Sequence, residues 1–176
     1  AALVLSALAG SAGAADAPAI AGHRASAAPE AQGPIFATRD FQLDDTSWSV
    51  VFRAFADSAA TQPLFRIDVA GVYLVGGPSG AVPGAMEGIF PATQRKLTAE
   101  SAAGVAMFES MGCKLEQGVT KSLVSEGCGF LPPLMQAMGE YDLVALKDGQ
   151  LFFGDRTGDL TKARPTKLTP FPLVKQ

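Results

Sequence analysis

Apolar and polar positions alternate along much of the chain from Ile35 onward, and a period of two is typical of half-buried β-strands. One such segment runs from Trp48 to Phe55 and another from Leu64 to Val75. Their apolar faces are Trp48, Val50, Phe52 and Ala54 in the first segment, and Phe65, Ile67, Val69, Gly71, Tyr73 and Val75 in the second. We therefore predict that both segments are strands of an antiparallel sheet with one face toward a core.

Turn residues separate further predicted strands. These strands are Met86 to Leu97, Gly118 to Val124, Tyr141 to Lys147, Gln150 to Asp155 and Thr166 to Val174. Pro91 should break or bulge the first of them, because proline has no N–H to donate to a ladder. Asp148-Gly149 predicts a tight type I′ turn between two paired strands. Pro170 and Pro172 are expected to restrict the last segment to a sheet edge.

A single helix is predicted at about residues 99–111. Thr98 is a suitable N-cap and Gly112 is placed to end the helix. Several short strands with one helix favour a mostly β fold, either an antiparallel barrel or a curled, partly open sheet.

The first residues resemble the end of a secretory signal peptide. Ala1 to Asp16 has a short apolar run, no charge before Asp16, and an A-x-A cleavage pattern at Ala12-Gly13-Ala14. The run is too short to span a bilayer, so no transmembrane segment is predicted. We interpret residues 1–14 as a signal-peptide remnant, 15–33 as a flexible linker and 34–176 as one domain, periplasmic or secreted. The alternative is the alanine-rich leader of a cytosolic protein.

Charge argues against two classes of partner. The net charge is −3 and the sequence contains no cluster of lysine and arginine residues. Nucleic acids and anionic membrane surfaces are both recognised by concentrated positive charge. We therefore predict neither as a partner.

Few residues of the chain could support catalysis. The only histidine, His23, lies in the predicted linker, which excludes catalytic arrangements of Ser-His-Asp or Cys-His and the usual zinc sites. We therefore predict no enzymatic activity, no cofactor and no metal site; a pair of carboxylates is the one catalytic alternative. Glu87, in an otherwise apolar segment, is either outward-facing or a partner of Arg156.

Two cysteines, Cys113 and Cys128, stand fifteen positions apart, which fits neither a C-x-x-C redox motif nor paired zinc spacing. In an exported protein an even pair favours a disulfide. In a cytosolic protein the same residues would be two buried thiols.

An aromatic and aliphatic stripe is the main candidate for a binding site. Its members are Trp48, Phe52, Phe65, Ile67, Val69, Tyr73, Phe90 and Phe153. In a narrow barrel such side chains fill the core, whereas in a wider barrel they line a ligand pocket. Both readings remain open from the stripe alone.

Five short elements follow one another in the C-terminal third of the chain: Gly127-Cys128, Glu140 to Val144, Leu151 to Arg156, Arg164-Pro165-Thr166 and Pro172-Leu173-Val174. In this order they resemble the end of the adenomatosis polyposis coli down-regulated protein family, which includes secreted Wnt inhibitors of animals and bacterial relatives. Weaker matches extend it to roughly residues 36–174: Thr46-Ser47-Trp48, Gly71-Val72-Tyr73, Gly84 to Glu87, and the pair Cys113 and Cys128.

The resemblance implies an antiparallel, half-open β-barrel around a large apolar pocket that accepts a fatty acid, acyl chain or lipid. A lipidated protein is a further partner that it implies. Two cysteines usual in the family are absent here, from Ala27 to Phe36 and from Asp57 to Gln62, and its R-P-x-D-G element reads Arg156 to Asp159. We expect a non-catalytic binding module with the pocket lined by the stripe. The alternative is a solidly packed barrel that serves as a structural or protein-interaction domain of the envelope.

Overall fold

The structure is a computed structural model and describes residues 19–176. The strands within these residues are β1 (Gly22–Ser26), β2 (Glu30–Gln32), β3 (Ile35–Leu43), β4 (Ser47–Phe55), β5 (Pro63–Val72), β6 (Leu74–Pro78), β7 (Met86–Ile89), β8 (Ala92–Ala99), β9 (Thr120–Ser122), β10 (Tyr141–Lys147), β11 (Gln150–Phe153) and β12 (Leu173–Lys175). One α-helix, α1, spans Ala102–Ser110. A single 3-10 turn follows at Leu134–Gln136.

All described strands pair antiparallel in one sheet with the order β6-β7-β10-β11-β12-β1-β3-β4-β5-β8-β9, and β2 adds to β3. The sheet curls into an open half-barrel with one helix, which confirms the predicted fold class. We call the inner side, which carries Val50, Ile67 and Val69, the concave face. The outer side, which carries Val51, Arg66 and Asp68, is the convex face.

The chain passes twice between the two sides of the strand order, from β5 to β6 and from β7 to β8. Tyr73 is the only residue between β5 and β6, so the segment predicted as one strand is divided there. Phe90 and Pro91 separate β7 from β8, which confirms the predicted break at the proline. The carbonyl of Pro91 accepts a 3.1 Å hydrogen bond from Val72. A Cβ on Gly71 would lie 1.9 Å from that carbonyl oxygen, so glycine is required for this approach.

The prediction of a flexible linker at 15–33 is wrong for its second half. β1 pairs with both β3 and β12, and β2 pairs with β3, so these residues belong to the sheet. Buried polar side chains, Arg24 and Glu30, occupy inward positions and hide the alternation that would have revealed the strands. The predicted signal-peptide remnant at 1–14 and the linker residues 15–18 lie outside the described residues.

The final strand is not restricted to an edge, contrary to the prediction. β12 lies between β11 and β1, and Leu173 is paired with Leu151 on one side and with Ser26 on the other. Pro170 and Pro172 precede the strand, so neither removes a donor from within it.

The helix begins three residues later than its predicted N-cap implied. Ser101 is the N-cap, and its side chain accepts a 3.1 Å hydrogen bond from Gly104 N–H. Gly112, at φ +79°, follows the helix end as predicted. Phe108 packs edge-on against Phe65 with ring centroids 5.1 Å apart, which fixes α1 against the end of β5.

Two local predictions are confirmed. Cys113 and Cys128 form a disulfide with a Cα–Cα distance of 5.2 Å, which ties the end of α1 to the loop before the 3-10 turn. Asp148 and Gly149 have φ values of 51° and 77°, as a type I′ turn between β10 and β11 requires. No helix within residues 19–176 is long and apolar enough to cross a membrane.

Candidate functional site

Strand register aligns inward-facing residues into rows across the concave face. One row contains Phe41, Val50 and Val69 as direct cross-strand neighbours. The next contains Phe52, Ile67 and Leu97, and a third contains Ala54, Phe65 and Ala99. The period-two pattern of β4 and β5 therefore placed their apolar residues correctly on one shared face.

The eight predicted site residues are divided between two core clusters. One cluster, which we call the upper cluster, contains Trp48, Tyr73, Phe90 and Phe153. The other, which lies beside α1 and which we call the lower cluster, contains Phe52, Phe65 and Ile67. Val69 packs against both clusters. In the upper cluster Tyr73 stacks on Phe90 at 5.4 Å, and Phe153 meets Phe90 edge-on at 5.3 Å. The residues of the stripe thus share one face of the sheet but pack into two separate hydrophobic clusters.

Half of the predicted residues stay partly exposed although they face inward. Phe65 is fully buried, and Ile67, Phe90 and Phe153 are nearly so. The partly exposed residues are Trp48, Phe52, Val69 and Tyr73. The concave face therefore has partly accessible apolar side chains in both clusters, and Val69 is the one of the four that packs against both.

None of the eight residues lines either of two cavities formed by residues 19–176. A cavity of about 480 Å³ lies beside the disulfide, between Lys114, Lys121 and Pro132. A second, of about 600 Å³, lies on the convex face among Arg66, Lys96 and Thr120. The predicted residues therefore form a packed, partly open surface, whereas the second cavity is lined by charged and hydroxyl side chains.

Positively charged side chains stand at the ends of the apolar rows. The row through Val50 and Val69 ends in Arg24 on β1 and Arg95 on β8. The row through Phe52 and Ile67 ends in Arg39 on β3. These three arginines therefore share the inward face with the apolar rows, although the predicted apolar stripe does not include them. Counting back two residues from Leu97 places Arg95 on the inward face, so the sequence does contain that signal.

Two of these arginines are satisfied within the protein. Arg39 binds both carboxylate oxygens of buried Glu30, at 2.9 and 3.0 Å, and donates to the Phe171 carbonyl at 2.9 Å. Arg24, 5% exposed, donates to the carbonyls of Ile20 at 3.1 Å and Gly149 at 3.3 Å. Both therefore act as internal links between strands and turns.

The C-terminal sequence elements meet around a buried carboxylate. One oxygen of Asp142 accepts hydrogen bonds from the backbone N–H groups of Leu143, at 2.7 Å, and Gly154, at 2.8 Å. The other lies 3.4 Å from Arg156, which also binds Glu140. Burial raises the pKa of Asp142 to about 6, although Arg156 and the two N–H donors oppose the shift.

Glu87 does not pair with Arg156. It points outward opposite Leu143 and lies 3.4 Å from Arg164. Arg164 also donates to the Asp142 carbonyl at 2.6 Å and stands over the ring of Tyr141 at 5.2 Å. The Arg164-Pro165-Thr166 element therefore closes the outer side of β10.

Within residues 19–176, no three side chains of the histidine, cysteine, aspartate or glutamate type lie together as a metal site would require. His23 lies in β1 and meets exposed Asp40 at 3.0 Å, which corrects its predicted place in a linker.

No family model matches the chain, and no curated protein matches it.

Proposed function

We propose that the protein is a non-catalytic binding module that holds a fatty acid, acyl chain or similar apolar ligand on its concave face. The observation that carries the proposal is that Trp48, Phe52, Val69 and Tyr73 face inward yet remain partly exposed. Exposed aromatic and aliphatic side chains on a concave surface gain free energy when an apolar ligand removes them from water. The ligand would lie between the two core clusters, where Val69 touches both.

The sequence and the disulfide support an exported location. Disulfides persist in oxidising compartments, and the chain carries Cys113–Cys128. The resemblance to the adenomatosis polyposis coli down-regulated protein family supports the same reading, because it implies an exported half-open barrel with an acyl-binding pocket. We propose membership of that family on the sequence elements already described.

Binding can be tested with a matched pair of variants on β4. Phe52 lies on the concave face, whereas its neighbour Val51 lies on the convex face opposite Asp68. We expect Phe52→Gln to weaken myristate binding about tenfold or more, and Val51→Gln to leave it within about twofold of the wild type. Calorimetry measures the affinities, and circular dichroism checks that both variants are folded. Equal effects of the two substitutions would contradict a site on the concave face.

A second candidate is an envelope protein that acts through the surface of the segment 124–140. Three of its side chains are large, apolar and more than half exposed: Phe130 at 53%, Met135 at 66% and Met138 at 54%. Large exposed apolar side chains are typical of surfaces that contact other proteins. The ring of Phe130 packs against the rings of Phe65 and Phe108, at centroid distances of 6.0 and 5.8 Å.

Site-specific crosslinking separates this candidate from the first. A photoreactive residue at Met135 should give discrete protein adducts in the native compartment if the surface contacts a partner. The same residue at exposed Glu109 on α1 is the control. Adducts from Met135 alone, in a protein that binds no acyl ligand, would favour the interaction protein over the binding module.

A further inference from the structure

Two arginines of the concave face lack a carboxylate partner. Among residues 19–176, every arginine except Arg24 and Arg95 lies within 4.0 Å of a carboxylate oxygen. These two stand at opposite ends of one row, which runs through Phe41, Val50 and Val69. Because a partly dehydrated cation is unfavourable without a counter-charge, each needs either a polar partner or a ligand.

Only Arg95 has donors to spare. Arg24 is 5% exposed and donates to two carbonyls, so little of its guanidinium group could meet a ligand. Arg95 is partly exposed, and its side chain makes one hydrogen bond within residues 19–176, 3.3 Å from Nη1 to the carbonyl oxygen of Pro132. A guanidinium group carries five N–H donors, so most of those of Arg95 remain available.

The surroundings of Arg95 combine apolar surface with weakly compensated positive charge. It is the direct cross-strand neighbour of Val69, the residue that joins the two core clusters. The nearby carboxylate of Glu140 is bound by Arg156. Desolvation lowers the pKa of Arg95. The negative charge of Glu140 offsets only part of this shift, and the positive charge of Arg156 lowers the pKa further.

We propose that Arg95 binds the anionic headgroup of an amphiphile whose apolar chain lies along Val69 and Phe52 on the concave face. The inference rests on the proposed function, which supplies the apolar chain, and adds the chemical class of the headgroup. Carboxylate and phosphate share the required chemistry, because each can accept two parallel hydrogen bonds from the planar guanidinium group. A neutral alcohol or ester could not replace that pairing.

The experiment compares palmitate, hexadecyl phosphate and hexadecanol, each below its aggregation limit, on the wild-type protein and on three variants. Each ligand has sixteen carbons, counting the carboxyl carbon of palmitate, so the apolar chains differ by at most one CH₂ and the headgroup is the main difference. We expect at least one anionic ligand to bind the wild type roughly tenfold or more tightly than hexadecanol. The anion that binds more tightly identifies the headgroup as carboxylate or phosphate.

The variants assign the preference to Arg95. Arg95→Gln should remove the roughly tenfold preference and leave hexadecanol binding unchanged, while Arg95→Lys should retain part of it. Lys96→Gln is the matched control, because Lys96 is the next residue on β8 and is exposed on the opposite face of the sheet. Its replacement should change the affinity for neither the anionic ligands nor hexadecanol.

Two results would overturn the inference. If hexadecanol and the anions bind the wild type equally, Arg95 has no headgroup role, but the proposed binding module stands. If none of the three ligands binds, the proposed function fails and the headgroup site fails with it. The wild-type comparison decides between these outcomes even if a variant does not fold.

Discussion

The carboxylate of Asp142 accepts a hydrogen bond of 2.8 Å from the backbone N–H of Gly154, the residue that follows β11. Asp142 is 3% exposed, so this hydrogen bond is buried and shielded from solvent. Pro165, from the Arg164-Pro165-Thr166 element, packs against the same glycine. The elements that stand apart in sequence therefore form one buried unit that holds β10 and the chain after β11 together.

Replacing Gly154 with alanine should destabilise the protein. A Cβ at this position would lie 2.5 Å from Pro165 Cγ and 2.7 Å from Asp142 Oδ1, and neither group is the free end of a flexible side chain. We expect a loss of roughly 2 kcal/mol in the free energy of unfolding, measured by urea denaturation. Gly158→Ala is the control, because a Cβ there would meet nothing within 4 Å. A Gly154→Ala protein as stable as Gly158→Ala would contradict the packing described.

Asp142 should make stability depend on pH between about 4 and 6. Its pKa is raised from 3.8 to about 6 in the folded protein, so the folded state binds more protons than the unfolded chain in this window. The free energy of unfolding should therefore fall as the pH rises through the window, by at most about 3 kcal/mol. Below about pH 3.8 this contribution is fully present, and above about 6 it is lost.

Comparison with Asp142→Asn isolates this dependence. The amide oxygen of asparagine can still accept the two backbone N–H bonds but does not ionise. The stability of the wild type relative to Asp142→Asn should fall between pH 4 and 7, as measured by urea denaturation at each pH. A constant or rising difference would show that Asp142 does not titrate as described.

Removal of the disulfide should lower stability without changing the fold. Cys113 and Cys128 close a loop with a sequence separation of 15, for which the chain-entropy relation gives about 3 kcal/mol. We expect this loss in a Cys113→Ser, Cys128→Ser double variant, measured by thermal and urea unfolding. Reductant should destabilise the wild type by a similar amount and leave the double variant unaffected. Insensitivity of the wild type to reductant during unfolding would argue against the cross-link.

The contact between α1 and β5 requires a glycine. A Cβ on Gly104 would lie 1.8 Å from the carbonyl oxygen of Leu64, so the helix would have to move. Gly104→Ala should therefore cost roughly 2 kcal/mol or more of unfolding free energy, although alanine is the better helix former. Ala106→Gly at an exposed helix position measures propensity alone and should cost about 1 kcal/mol. A stabilised Gly104→Ala protein would contradict this close approach.

The elements predicted correctly are those with a strong local signal. Strand β4 follows from its alternation, the turn at Asp148-Gly149 from its dipeptide, and the end of α1 from its stop residue, Gly112. The N-cap was misplaced because Thr98 and Ser101 are both good caps, and only Ser101 has the extended backbone directly before the first turn. Thr98 instead belongs to β8 and is paired with Arg66.

The elements that were missed depend on distant partners. β1 and β2 are short and carry buried charge, so their stability comes from pairing with β3 and, for β1, also with β12 at the other end of the chain. The candidate site also depends on residues that are distant in sequence. Alternation placed Phe52 and Val69 on one face, but only the register between strands shows that Arg24 and Arg95 end the same row.

The dependence of affinity on acyl length tests the central claim most directly. Octanoate, decanoate, laurate and myristate would be titrated into the wild-type protein by calorimetry under one buffer condition. If the chain is removed from water on the concave face, affinity should rise by up to about fourfold for each added CH₂, or about 0.8 kcal/mol, until the surface is filled. Affinity that does not change with chain length would contradict an apolar binding site.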